Sequence, residues 1–329
     1  MRRLLLPLAT AAMLLAGCGS ASHGSGTSPR NATLVLDFTP NPVHVGIYTA
    51  VAHHFDTAAG VHLHIIAPSA STDAIRLLQT GRADFAILDI HDLAIARARG
   101  ADVVGILPIV ERPLASVIAA PAVTTPRALA GRTVGVTGAP SDTAVLDSIV
   151  AGGGGRPQSL KTITIGFNAV GDLLAGKVAA ATAFWNDEGV TLTRRRPGFH
   201  VFRVEDYGAP SYPELVVCAT AKRLRSDPAL AAGVVTALVR GYHLALARPA
   251  AGQHALESEV PGLNHALDTA ELAGLPAAFR GPEGRFGVLD PTVLRRWAAW
   301  EAHFGIVKAP PDVSATFDRA FAPTARGSS

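Results

Sequence analysis

Short apolar runs alternate with stretches of helical spacing along the first two-thirds of the chain. Thr33–Asp37, Val61–Ala67, Asp84–Leu88, Val103–Val110 and Ser116–Ala120 have the length and near-continuous apolar character of strands covered on both faces. Between them, Gly46–Phe55, Thr72–Gly81 and His91–Gly100 carry helical spacing, the last two closing on glycines suited to a helix end. The pattern restarts at Thr133–Thr137, passes through a helix at Thr143–Val150, and continues in strands at Lys161–Gly166, Ala179–Phe184 and His200–Val204. Glu214–Ala219 is a further apolar strand-like run. From Asp227 onward the chain reads mainly as helix, over Pro228–Ala247, Asp268–Phe279 and Pro291–Phe304. Such alternation predicts an α/β fold with a mostly parallel sheet covered on both faces. Two βα halves followed by a helical C-terminal part predict two lobes with a ligand cleft between them. Lobe one is expected at about 33–120 plus 215–329 and lobe two at about 121–214, with hinges near Pro121–Val123 and Gly208–Pro210.

The first residues stand apart from this pattern. Met1-Arg2-Arg3 is a short positive segment, Leu4–Ala16 is apolar, and Leu15-Ala16-Gly17-Cys18 closes it. The apolar run is too short to cross a bilayer core of about 30 Å, which favours a cleaved signal over a membrane span. Leu-Ala-Gly-Cys resembles a bacterial lipobox, so residues 1–17 are expected to be a lipoprotein signal peptide and Cys18 the lipidated residue. Residues 18–31, rich in Ser and Gly, are expected to be a flexible tether to a domain at 32–329. The expected mature protein is therefore extracytoplasmic and held to the cell membrane by an N-terminal lipid anchor.

Composition narrows the partners. The formal charge of +3 falls to +1 when Arg2 and Arg3 are removed with the signal, and no basic stripe interleaved with aromatics is present. Nucleic acid is not expected as a partner. Cys218 would be the one cysteine left beside Cys18, and it sits in an apolar run, so an intrachain disulfide or multi-cysteine metal site is not expected. About 300 mature residues can bury a large core and suit one or two domains. The Gly152–Gly155 run follows a helix and precedes a strand, the wrong order for a phosphate-cradling loop. No cofactor is expected.

Candidate ligand contacts cluster at strand ends. Leu36–Tyr48 places Phe38, Asn41 and His44 around Thr39-Pro40-Asn41-Pro42, where two prolines forbid continuous ladder or helix and hold the loop extended. Phe38 can stack on a ring. Asn41 offers an acceptor and two donors, or else holds its own turn. His44 either donates to a ligand or caps the incoming helix, and Tyr48, one turn on, is a packing residue on the same face. In lobe two, Gly138–Asp142 lies between a strand and a helix, so its backbone N–H groups and the Ser141 hydroxyl can bind a ligand oxygen or anion. The plainer role for Ser141 or Asp142 is an N-cap. The apolar run Ala179–Phe184 ends directly in Trp185-Asn186-Asp187-Glu188, which gathers a ring, an amide and carboxylates at one strand end. A carboxylate at Glu188 can accept from a ligand amine or ring N–H, or else be a solvated first-turn residue. Tyr207, in Val204–Leu215, is expected to line the cleft near the second hinge.

Three segments together resemble a known family. The Asp37-Phe38-x-Pro40-Asn41-x-x-His44-x-Gly46 loop, the Asn186-Asp187-Glu188 strand end and the Glu205-Asp206-Tyr207-Gly208-Ala209-Pro210 segment are similar to those of SsuA-like and thiamine-pyrimidine-precursor-binding proteins. Gly81–Phe85, Leu129–Gly135 and Leu173–Val178 follow in the order that family shows, so the resemblance extends over about 33–242. The family most often has Trp where this chain has Phe38. The resemblance implies a two-lobed periplasmic-binding-protein type II fold that closes on a small ligand and delivers it to the permease of an ABC importer. It further implies an aromatic heterocycle, first an aminopyrimidine precursor of thiamine, with Phe38, Asn41, His44, Ser141, Trp185, Asn186, Glu188 and Tyr207 as ligand-binding residues. Riboflavin is the nearest rival, then sulfonates or nitrate, for which an Arg or Lys would be expected in the Phe38–Tyr48 loop. A monomer is expected, and a sensor-linked binder is a weaker alternative. Eukaryotic relatives of the same fold synthesise the thiamine pyrimidine with a Lys, a His four residues later and a cysteine cluster. Counting without gaps puts Leu88 and Asp92 at the first two positions, with His91 one place off, and only Cys218 in the later segment. An enzyme is therefore not expected. Neither is a metal site, since His53, His54, His62 and His64 cluster without a carboxylate framework.

Overall fold

The computed structural model describes residues 28–281 and 284–323. The expected signal peptide, Cys18 and most of the expected tether lie outside the described residues. The remainder of the tether is already structured: β1 (Arg30–Val35) starts beside the start of β2 (Val61–Ile66), in parallel register from Arg30↔Val61 onward.

The strands form two five-stranded sheets. The first has β2, β1, β3 (Phe85–Asp89), β10 (Leu215–Thr220) and β4 (Val103–Val110) side by side in that order. The second has β7 (Lys161–Thr164), β6 (Thr133–Val136), β8 (Ala180–Phe184), β5 (Ala115–Ala119) and β9 (His200–Arg203). In each sheet four strands run in one direction, and β10 in the first and β5 in the second run antiparallel to both neighbours. The sheets are thus mixed, each with one antiparallel strand inserted into an otherwise parallel set. β10 and β5 are the strands that enter a sheet just after a lobe crossing, and neither is preceded by a helical crossover that would force parallel pairing.

The first crossing falls earlier than the sequence suggested. β5 belongs to the second sheet, so the chain changes lobe at 111–114, between β4 and β5, and not near 121–123. Four residues containing Arg112-Pro113 are too few for a helix, and the apolar runs on either side do not reveal which sheet they join. The return crossing lies between β9 and β10.

The core follows the sheet faces. One face of the first sheet packs on α1 (Val45–Ala52), α9 (Pro228–Ala247), α10 (Pro249–Glu259) and α11 (His265–Gly274). The opposite face joins α4 (Ile90–Ala98) and α12 (Pro291–His303) to residues of the second lobe, including Leu146 and Phe202, in one continuous cluster. α9 is the one helix among the described residues long and apolar enough to cross a membrane, but Leu238 and Tyr242 are buried against α1 and its neighbours, so it is a core helix. The Tyr242 hydroxyl donates to the Val43 carbonyl at 2.7 Å, tying α9 to the loop after β1. The helix expected at Gly46–Phe55 is broken: His54 adopts a left-handed φ of 56°, and a short α2 (Phe55–Ala58) follows. His62 and His64 are exposed on β2, alternating with buried Val61 and Leu63.

Candidate functional site

A cleft with about 830 Å³ of empty space, including its open mouth, lies at the carboxyl ends of strands from both lobes. Strand carboxyl ends are the place where open α/β sheets bind ligands. Phe38, Ser141 and Glu188, all picked from sequence, line it. Asn41, His44, Trp185, Asn186 and Tyr207 do not.

The loop after β1 shows why. Asn41 caps the short turn Pro42–His44, its Oδ1 accepting from Val43 N at 2.9 Å and its Nδ2 donating to the Thr39 carbonyl at 3.1 Å. Asn41 N donates to His44 Nδ1 at 3.2 Å, which leaves the ring proton on Nε2, and Nε2 meets Asp37 Oδ1 at 2.9 Å. His44 is fully buried. Both polar residues therefore shape the loop and aim Asp37, which lines the cleft and was passed over in the sequence. Phe38 meets Phe167 of lobe two edge-to-face, with ring centroids 4.5 Å apart. Phe167 follows β7, a strand-end aromatic whose only signal was its place after that strand.

The loop before α5 (Asp142–Gly152) is also occupied by its own groups. Asp142 accepts from Thr137 Oγ1 at 2.9 Å, Gly138 N at 2.7 Å, Ala139 N at 3.0 Å and Thr182 Oγ1 at 3.2 Å. Ser141 N donates across the cleft to Asp92 Oδ1 of α4 at 3.1 Å, and the Ser141 side chain makes no capping bond. The backbone donors expected to bind a ligand anion are thus taken by two carboxyl groups. An incoming phosphate or sulfonate would have to displace a carboxylate there.

At the end of β8, Glu188 Oε2 accepts from Phe184 N at 2.9 Å. Burial, and then the neighbouring Asp187, push its carboxyl up to about 8. Trp185 turns away: its Nε1 donates to the Pro113 carbonyl at 3.0 Å and the Arg203 guanidinium lies 4.0 Å from its ring centroid, so it braces the first crossing. Asn186 is buried, and its Oδ1 meets no donor among the described residues. Tyr207 packs edge-to-face on Phe202, with its backbone against Gly152 at the opposite end of α5 from the cleft-lining Asp142.

Asp37, Asp89, Asp92, Asp142 and Glu188 all line the cleft, whereas no Lys, Arg or His does among the described residues. Burial, then Asp89, raises Asp92 to about 7. Beneath the floor, Asp89, His91 and Glu214 each place one polar side-chain atom within 4.8 Å of the others. Burial alone would lower His91, but the Glu301 and Asp89 carboxyls raise it to about 10. His91 Nδ1 meets the Glu301 carboxyl, and its buried Nε2 has no hydrogen-bond partner among the described residues.

Two five-stranded mixed sheets joined by two crossings, with a cleft at their strand ends and helices closing the C-terminal part, define a two-lobed type II ligand-binding fold. The alkanesulfonate-binding protein SsuA of Xanthomonas axonopodis pv. citri, solved with MOPS, has the same fold, with a TM-score of 0.71 and 17% identity over 89% of this chain and 99% of that one. The chain belongs to the NMT1/THI5-like family, whose pattern it matches over residues 41–252. A formylaminopyrimidine-binding protein of Halalkalibacterium halodurans is 25% identical over 91% of this chain and 93% of its own length. A 4-amino-5-hydroxymethyl-2-methylpyrimidine phosphate synthase of Legionella pneumophila is also 25% identical, but over 49% of this chain and 51% of its own.

Proposed function

We propose that this protein is the extracytoplasmic solute-binding component of an ABC importer and captures an aminopyrimidine precursor of thiamine. The observation that carries this reading is the cleft's lining: five carboxyl groups, no cation among the described lining residues, and an α5 N-terminus already filled by Asp142 and Asp92. Such a site offers sulfonate, nitrate or phosphate no cation and no free helix start, and favours a ring that presents N–H donors or basic nitrogens. The near full-length likeness to a formylaminopyrimidine-binding protein supports the same ligand class. Phe38 and Phe167 line the cleft and offer the ring apolar contact, and Glu188 takes its exocyclic amine. Asn41 and His44 act one step back by aiming Asp37. Closure of the lobes about the two crossings buries the ligand. The chain acts as a monomer, is held to the membrane through Cys18 and hands its cargo to permease subunits. It does not turn the ligand over.

Calorimetric titration of the purified chain with aminopyrimidines, riboflavin and taurine tests this. Tight binding of an aminopyrimidine is expected. Heat with riboflavin or taurine alone would overturn the ligand, and conversion of the bound compound would revive a synthase.

A further inference from the structure

Asp89 is the cleft carboxyl that the binding scheme above leaves without a task. It ends β3 at the cleft floor, and its Oδ1 accepts from His91 N at 2.7 Å at the start of α4. A carboxyl oxygen of Asp89 lies within 4.8 Å of one of Glu214, the residue just before β10. Glu214 is fully buried; its Oε2 accepts from Leu114 N and from Ala115 N, the latter at 2.9 Å, while Oε1 meets no N–H or hydroxyl donor among the described residues. Two carboxyl groups this close in buried surroundings favour sharing a proton or holding a cation between them.

Titratable groups from several elements surround the pair. His91 of α4, which the Glu301 and Asp89 carboxyls raise against its burial, pairs through Nδ1 with Glu301 of α12. Asp92 of α4 faces the pair from the same helix, Tyr212 approaches from the return crossing, and Asp142 lies behind Asp92. Burial, with Glu214 adding to it against His91, holds Asp89 well above the usual carboxylate range. Asp89 is the member open to the cleft, and Glu214 is sealed beneath it.

We propose that Asp89, its carboxyl proton shared with Glu214, reads the basic ring nitrogen of the ligand and passes it that proton on binding. The inference rests on the heterocycle reading of the cleft. The Asp89 O–H bond breaks, an N–H bond forms on the ring, and an aminopyrimidinium faces the Asp89–Glu214 pair, now two carboxylates. Glu214 positions Asp89 and, through Leu114 N and Ala115 N, ties it to the first lobe crossing. The site thereby selects an amidine-type ring over a carbocyclic or anionic one.

The test uses 4-amino-5-hydroxymethyl-2-methylpyrimidine as probe, with its affinity and ultraviolet absorption followed in wild type, Asp89→Asn and Glu214→Gln. At about pH 8, where the free ring is neutral, wild type should hold the ring with the absorption of its protonated form and take up no proton from buffer. Asp89→Asn should bind at least about tenfold more weakly, with a neutral-ring spectrum. Glu214→Gln supplies an amide donor to Asp89 and so removes the stored proton; its affinity should rise about tenfold for each unit the pH is lowered, which loss of packing alone would not produce. A neutral ring spectrum in wild type, Asp89→Asn binding as tightly as wild type, or a divalent ion that co-purifies and is lost in Asp89→Asn would each overturn the inference while leaving the pyrimidine assignment standing. Failure of wild type to bind the probe would overturn both.

Discussion

The loop after β1 and the loop before α5 do opposite things with the same kind of residue. In the first, Asn41 and His44 spend their polar atoms on the loop and thereby present Asp37 to the cleft. In the second, Asp142 turns inward and consumes the donors that the helix start would otherwise offer. One loop exports a carboxylate, and the other cancels an anion site. Turn and cap residues satisfy their own backbone first, because an unpaired buried N–H costs more than an optional ligand contact gains. What remains free for a ligand is the neighbour that the turn residue holds in place.

The sharpest way to break this contrast is Asp142→Ala. It removes the acceptor of four donors and should cost about 3 kcal/mol in denaturant unfolding. The freed helix start should then gain sulfate-dependent stabilisation that wild type lacks. An equal response to sulfate in both proteins would mean that the anion site was never filled. Glu188→Ala should weaken aminopyrimidine binding by about tenfold in calorimetry, since it leaves a buried ligand donor unpaired, at a cost of about 1–3 kcal/mol.

The acids of the cleft seam make stability depend on pH. Burial raises Glu188 to about 8 and Glu271 to about 9, and Asp187 to about 6 although His44 opposes it. A carboxyl whose folded value is raised binds more protons folded than unfolded, so its contribution is fullest below the ordinary value of 4.5 for Glu and declines as pH rises through the raised one. The thermal midpoint of the ligand-free protein should therefore fall as pH is taken from about 5 to about 9, and Glu188→Gln should flatten that slope. A midpoint rising over the same interval would place these groups as paired carboxylates.

Asn41→Ala tests the first loop more gently. Loss of the cap should cost about 1 kcal/mol, with a few-fold loss of affinity through the misplaced Asp37. Tyr207→Phe should leave affinity within about twofold, because its ring packs on Phe202 away from the cleft.

Much of the fold was legible in the periodicity. β2, β4, β8 and α9 lie where the apolar spacing put them, because a buried strand or helix must present a continuous apolar face. Strand direction was not legible, since β5 and β10 are as apolar as their parallel neighbours and only pairing distinguishes them. In the site, Phe38, Ser141 and Glu188 were found by position at strand and helix ends. Trp185 and Tyr207 were misplaced because an aromatic near a strand end serves a crossing or a core as readily as a cleft.

From its own residues the chain determined an α/β body in two βα halves, a rigid proline-held loop after β1 and a polar strand end at Glu188. Those are local consequences of spacing, proline geometry and side-chain type. Folding in three dimensions settled where the chain crosses between sheets, which loop donors were already spent, and which acids meet beneath the cleft. Such pairings join residues as far apart as Leu114 and Glu214 or His91 and Glu301. Their energies depend on burial and on partners distant in sequence, which local patterns do not encode.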